Sequence, residues 1–114
     1  MRGDVVFADL PYAADRASRE QAGRRPAIAV LSDVSPATNP MVMVVPTTSK
    51  LDAARFPYTL EVLPSTINGL TERSILLVFQ LRALDRNRIR NTVGRLEDHY
   101  LAQLDQILRN LLNL

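Results

Sequence analysis

What most limits the folds open to this chain is its punctuation. All seven prolines fall between residues 11 and 64, where they divide the sequence into short apolar runs with no helical period. Residues 5–10 favour a strand, and Pro11 closes the run by removing a donor. Residues 12–25 read as an exposed loop holding Ser18, Gly23 and the charged Asp15, Arg16, Arg19, Glu20 and Arg24 before Arg25. A second strand covers residues 26–31, with Pro26 acceptable at its first position but not in its centre. After a turn at residues 32–40, residues 41–45 form a third strand, too continuously apolar to have a solvated face, and therefore central or covered by a partner.

Residues 50–57 read as a loop, 58–63 as a strand, and 64–72 as a connection that turns at Asn68-Gly69. The run 75–79 makes the next strand, residues 80–84 alternate polar with apolar, and 89–96 supply a last short strand. Only then does the period change. Leu101, Leu104, Leu108, Leu111 and Leu112 recur at helical spacing with Tyr100 and Ile107 beside them, and Glu97 and Asp98 place negative charge near the helix start. The expected fold is mostly β with a C-terminal helix, a small antiparallel barrel or curled sheet with the helix against it. A parallel sheet would need a crossover helix between the early strands, and none is present in the pattern.

A chain of 114 residues holds one ordinary core, so residues 1–114 are expected to form a single domain. The formal net charge of +2 says little about a polyanionic partner, but 13 of the 14 basic residues are arginine, whose planar fork grips phosphate or carboxylate through two hydrogen bonds. A GC-rich genome would produce the same bias without any function. Cysteine is absent, which excludes a disulfide framework and a thiolate metal site. No apolar stretch is long enough to span a membrane and no secretion signal precedes the first strand, so the expected location is the cytoplasm.

The residues suited to chemistry cluster at strand ends. Arg24 and Arg25 stand where the charged loop enters the second strand, so a rigid base orients Arg25 while the loop adapts; an exposed salt-bridging pair is the plainer alternative. Thr47, Thr48 and Ser49 follow Pro46 at the close of the third strand, where hydroxyls either donate to phosphate oxygens or bond to nearby backbone. Arginine suits charge stabilisation in RNA cleavage by the 2′-hydroxyl and, with its high pKa, is a poor base. Glu20 either takes that role or anchors the arginines. A second basic region, Arg82, Arg86, Arg88, Arg90 and Arg95, is opposed within that interval only by Asp85 and is either an RNA-attracting surface or a solvated face. Phe56 or Tyr58 could stack single-stranded bases. His99, beside Glu97, Asp98 and Tyr100, reads as structural, and the scattered Asp4, Asp9, Asp33, Asp52 and Asp85 show no metal-ligand spacing.

Taken in order, residues 2–10, the segment 20–26 with its Arg24-Arg25-Pro26, the Pro46-Thr47-Thr48-Ser49 strand end, Gln80-Leu81-Arg82-Ala83-Leu84-Asp85, and Gly94-Arg95-Leu96 before the leucine-rich tail resemble the MazF/PemK/Kid family of toxin endoribonucleases over nearly the whole chain. The resemblance implies an SH3-like barrel, a homodimer, a MazE-like antitoxin partner, and cofactor- and metal-independent cleavage of single-stranded mRNA to 2′,3′-cyclic phosphate and 5′-hydroxyl ends. It carries catalytic roles to Arg25 and Thr48, with Glu20 in a supporting or basic role. Arg24, Thr47, Ser49, Phe56, Gln80, Arg82 and Arg86 are then the expected RNA contacts. Where the family commonly has Gln-Asn-Asp, this chain has Leu31-Ser32-Asp33, and Asp15, Arg16 and Arg19 replace a shorter loop approach, so target sequence is expected to differ. Two alternatives stand beside this reading. One is a nonenzymatic toxin that binds DNA gyrase, as CcdB relatives of this barrel do. The other is a degenerate member that only binds RNA or antitoxin.

Overall fold

In a computed structural model that describes residues 2–11, 22–30 and 39–114, seven strands are followed by one long helix. The strands are β1 Asp4–Leu10, β2 Gly23–Ala29, β3 Met41–Thr48, β4 Thr59–Val62, β5 Ser74–Leu77, β6 Arg82–Asp85 and β7 Ile89–Arg95, and the helix α1 is Asp98–Leu112. All pairings are antiparallel in the order β4-β5-β3-β2-β1-β7, with β6 also paired to β3. β3 is the hub. Its residues 41–44 pair with β6, 47–48 with β5, and 44–46 with β2, so Pro46 falls after β6 has ended and before β5 begins. A proline is tolerated at such a gap because no ladder bond on that side requires its missing N–H.

The sheet curls around two clusters of buried side chains. Val5, Ile28, Val45, Val62, Leu76 and Leu104 belong to one, and Val6, Ala8, Ala27, Ala29, Val42, Val44 and Leu84 to the other. Alternation sends Val5 and Val6, or Val44 and Val45, into opposite clusters, which is why the third apolar run has no polar face. The helix covers the first cluster with Tyr100, Leu101, Leu104, Ile107, Leu108 and Leu111, at spacings of three and four. Leu104 is fully buried, which contributes about 2 kcal/mol. Leu112 departs from the expected stripe and is exposed.

β4 and β7 end the strand order, and the turn after β4 bridges between them. Arg95 donates its backbone N–H to Ile67 O at 3.0 Å where that turn crosses β7. A Cβ on Gly94 would stand 2.4 Å from the Asn68 carbonyl carbon, and one on Gly69, whose φ is +72°, would stand 2.2 Å from Val93 O. Gly94→Ala is therefore expected to cost about 3 kcal/mol by forcing two backbones apart, read as a lowered urea midpoint at unchanged slope.

Several sequence boundaries move. β2 begins at Gly23 rather than Pro26, so Pro26 lies in the middle of the strand. Its C=O accepts from the Thr47 hydroxyl, and N and C=O of one strand residue face the same edge, so its missing donor faces β3 beyond the last ladder pair and disturbs nothing. β3 continues through Thr48. The segment read as a loop at residues 50–57 contains a short 3-10 helix, Leu51–Arg55. Tyr58 takes a φ of +58° and ends the extended run, so β4 starts at Thr59. β5 stops at Leu77, and a 3-10 turn over Val78–Gln80 rotates Phe79 out of the core.

Candidate active site

β2 and β3 part company at the end that carries the candidate residues. Their ladder pairs Ala27 with Pro46, and continuing that register by two residues sets Arg25 opposite Thr48. Beyond the last ladder pair the two strands are tied by a side chain instead, the Thr47 hydroxyl donating to Pro26 O at 2.8 Å. The opening holds a pocket of about 120 Å³ lined by Arg24, Arg25, Pro26, Thr47, Thr48 and Ser49 on one side and by Leu70, Thr71, Glu72 and Ser74 on the other.

The hydroxyls in this pocket differ in what they have left to give. Thr47 is 2 % exposed and already donates to Pro26. Thr48, 8 % exposed, accepts from the backbone N–H of Lys50 at 3.2 Å, which leaves its own proton for a ligand. Ser49 is exposed at the rim.

The two arginines also differ. Arg25 is exposed and donates through Nε to Ala22 O at 3.2 Å. Among the described residues that bond engages Nε alone, which leaves the two terminal nitrogens of the exposed fork for a phosphate. Arg24 projects from the other side of β2, opposite Asp9 in the β1 register, and its Nε lies 3.0 Å from Asp9 Oδ1. Arg90 pairs with the other oxygen of the same carboxylate. Hydrogen bonds from Arg24 and then Arg90 hold the Asp9 carboxyl below the usual carboxylate range, so it stays ionised.

A second hollow of about 320 Å³ shares Thr48 with the first and is lined by Lys50, Asp52, Arg55, Phe56, Phe79 and Gln80 among others. The Phe56 and Phe79 rings meet edge to face at 5.8 Å between centroids, and the Arg55 guanidinium sits 4.7 Å from the centre of the Phe56 ring. A third hollow continues through Phe79, Gln80, Leu81 and Arg82. Thr48, Phe56, Gln80 and Arg82 therefore follow one connected path. Arg86 lies apart from it at the far end of β6, where its Nε donates to Asn39 O at 3.0 Å. Glu20, Leu31, Ser32 and Asp33 fall outside the described residues, as do Asp15, Arg16 and Arg19. His99 is exposed on α1 and tilts against Tyr100 at 4.1 Å, away from the pocket walls. No group of three side chains suited to hold a metal occurs among the described residues.

Sequence reasoning missed Glu72, Ser74 and Phe79. The first two reach the pocket only because β5 pairs with Thr47 and Thr48, a contact between segments some 25 residues apart that no local pattern encodes. Phe79 belongs to an apolar run whose composition favours a strand, and the polar Gln80 after it is the sign that the run ends.

Known proteins resemble this chain in sequence and architecture. A family model described as a PemK-like, MazF-like toxin of type II toxin-antitoxin systems matches residues 1–112. The endoribonuclease EndoA of Bacillus subtilis is 29% identical over 108 residues, covering 95% of this chain and 90% of its own. The endoribonuclease MazF of Staphylococcus saprophyticus is 30% identical over 107 residues, covering 94% and 86%. Among solved structures, MazF from Deinococcus radiodurans superposes with a TM-score of 0.78 at 26% identity, over 98% of this chain and 94% of that one. With the match spanning nearly all of its length, this chain belongs to the PemK-like, MazF-like family of type II toxins.

Proposed function

We propose that residues 1–114 act as one toxin domain that cleaves single-stranded RNA, mRNA above all, at the pocket between β2 and β3. The observation that carries this reading is the placement of Arg25 and Thr48 together where the β2/β3 ladder ends, with the Arg25 fork exposed and the Thr48 proton unspent. The RNA 2′-oxygen bonds to phosphorus, the bond from phosphorus to the 5′-oxygen breaks, and a 2′,3′-cyclic phosphate and a 5′-hydroxyl remain. Arg25 stabilises the charge that develops on the nonbridging oxygens, and Thr48 donates a hydrogen bond to one of them. The proton leaving the 2′-hydroxyl goes to a base, for which Glu20 is the residue proposed, and the leaving 5′-oxygen takes a proton from water. None of these steps requires a metal ion or a cofactor.

Ser49 and Arg24 border the reacting phosphate, and the hollow floored by Phe56, Phe79 and Gln80 offers an aromatic surface for an adjacent base, with Arg82 beyond it. Arg86, bound to Asn39, contributes to the field rather than to the groove. A two-fold dimer would add burial to a small sheet, and an acidic segment of a MazE-like antitoxin would find the exposed Arg25 at the pocket mouth. No helix among the described residues is long and apolar enough to cross a membrane, and the cytoplasm, where mRNA is found, is the proposed location. The gyrase-binding reading is not favoured, because the relatives that align along nearly the whole chain carry endoribonuclease names.

The test is end-mapped cleavage of a long unstructured RNA in chelator by wild-type and Thr48→Val protein. Wild type is expected to cut at short motifs leaving cyclic phosphate, and the variant to cut about 10²-fold more slowly, the usual cost of one lost oxyanion donor. Intact RNA with wild type, or an unchanged rate in the variant, would overturn the proposal.

A further inference from the structure

Asp9 is the least expected feature next to the candidate site. It lies on β1 with Arg24 of β2 on one oxygen and Arg90 of β7 on the other, so one carboxylate ties three strands together. Arg88 completes the arrangement by donating Nη1 to the Asp9 backbone carbonyl at 3.3 Å. Two guanidiniums thus share one carboxylate, and a third sits on the backbone carbonyl of the same residue. A structural ion pair is neutral, whereas among the described residues this cluster keeps two positive charges in excess.

The geometry leaves that excess accessible. Arg24 reaches Asp9 through Nε, so the terminal nitrogens of its fork are not used by the ion pair. The Arg24 and Arg90 side chains are 63% and 51% exposed. A groove of about 500 Å³ runs past Asp9, Leu10, Pro11, Gly23, Arg24 and Arg88. Arg24 also lines the pocket that holds Arg25 and Thr48, so groove and pocket share a wall. A strand of nucleic acid held at the pocket can therefore continue into the groove, where its next phosphates meet arginine forks.

We propose that Arg24 and Arg88, with Arg90 paired to Asp9 beside them, form a phosphate-binding groove for the single-stranded RNA segment that flanks the bond held at Arg25 and Thr48. This rests on the endoribonuclease reading for the identity of the ligand, but not for the groove. The contacts are to phosphate, so they add affinity that depends on flank length and salt and carry no base preference. Asp9 sets the strength. Its carboxylate orients Arg24 and Arg90 and at the same time competes with phosphate for them, so removing its charge should strengthen the groove.

Binding is measured by fluorescence anisotropy across a salt series, using mixed-sequence single-stranded 2′-deoxy oligonucleotides of roughly five and roughly twelve nucleotides. These probes lack the 2′-hydroxyl and cannot be cut by its attack, so the readout does not depend on catalysis. For wild type the longer probe should bind more tightly and with the steeper salt dependence. Replacing both Arg88 and Arg90 by glutamine should remove most of the long-over-short advantage and lower the log-log salt slope for the long probe by about one to two. Asp9→Asn should move the other way, tightening the long probe several-fold, a gain that loss of a purely structural ion pair would not produce. Thermal melts of both variants confirm that folded protein is being compared.

An unchanged salt slope in the double variant overturns the proposal. So does a double variant that keeps the slope but loses binding to a glutamate-rich peptide, which would assign the groove to an acidic protein segment. Protein that shows the arginine-dependent slope yet leaves RNA intact keeps the groove and sinks the nuclease reading. Protein that cuts RNA without that slope does the reverse.

Discussion

Replacing Arg25 by alanine is expected to slow RNA cleavage by about 10³-fold or more while leaving the fold intact. The size follows from the role: a guanidinium directed at charge that develops only in the transition state commonly contributes a factor of this order. The stability should hold because Arg25 is exposed and, among the described residues, its one hydrogen bond runs to the carbonyl of Ala22, three residues away. Its strand is secured by other means, the ladder to β1 and the Thr47 hydroxyl on Pro26. Single-turnover cleavage with saturating enzyme separates chemistry from binding, and matching melting curves establish that the variant is folded. A rate within about tenfold of wild type would remove Arg25 from the reaction, since even a single neutral donor is usually worth more. Arg25→Lys should recover little, because an ammonium restores the charge without the two-pronged contact.

Asn68→Ala is expected to cost about 4 kcal/mol and lower the melting temperature by about 15 °C. Asn68 is completely buried in the turn that bridges β4 and β7. Its Oδ1 accepts from the backbone N–H of Ser65 at 3.1 Å and of Leu70 at 3.0 Å, and its Nδ2 donates to Leu63 O and Glu97 Oε1, both at 3.0 Å. Alanine would leave all four groups without that partner, and each unsatisfied group costs about 1 kcal/mol or more. Ser65 Oγ donates to the other Glu97 oxygen at 2.9 Å, so the turn is joined to the start of α1 through one carboxylate.

The same network makes stability sensitive to acid. Burial of the Glu97 carboxyl works to raise its pKa, but its own backbone N–H and the Ser65 and Asn68 bonds outweigh burial, with His99 adding to them, and the net direction is down. A carboxyl whose pKa is lowered by folding contributes stability that is present above its ordinary value of 4.5 and lost as pH falls through the folded value. Asn68→Ala should raise the folded value and shift the acid unfolding midpoint upward. A loss below about 1 kcal/mol with an unmoved acid midpoint would show that water replaces the amide at no cost.

How much of this was legible in the sequence depends on the range of the interaction that decided it. The helix was readable because Tyr100, Leu101, Leu104, Ile107, Leu108 and Leu111 repeat at the helical period, and period is a local property. Antiparallel strands followed from proline-bounded runs without a crossover helix, and the central place of β3 from the absence of a polar face in residues 41–45. Arg25 and Thr48 were visible as residues able to meet a phosphate, near the expected ends of the second and third strands.

Other features were written in no single segment. The start of β2 at Gly23 depends on cross-strand pairing with Asp9 and Leu10, which draws Arg24 and Arg25 out of the loop and into the ladder. The exposure of Phe79 depends on a 3-10 turn that sets it against Phe56, a residue more than twenty positions away. Strand alternation set Arg24 against Asp9, while Arg25, its neighbour, has no carboxylate partner among the described residues, although both border the pocket. The sequence by itself determined the inventory of elements and the chemistry on offer, because both depend on neighbours a few bonds apart. The tertiary structure alone decided which hydroxyl keeps its proton, which arginine pairs with a carboxylate, and which distant side chains wall the pocket, because register and strand order settle those contacts only when the whole sheet curls around its core.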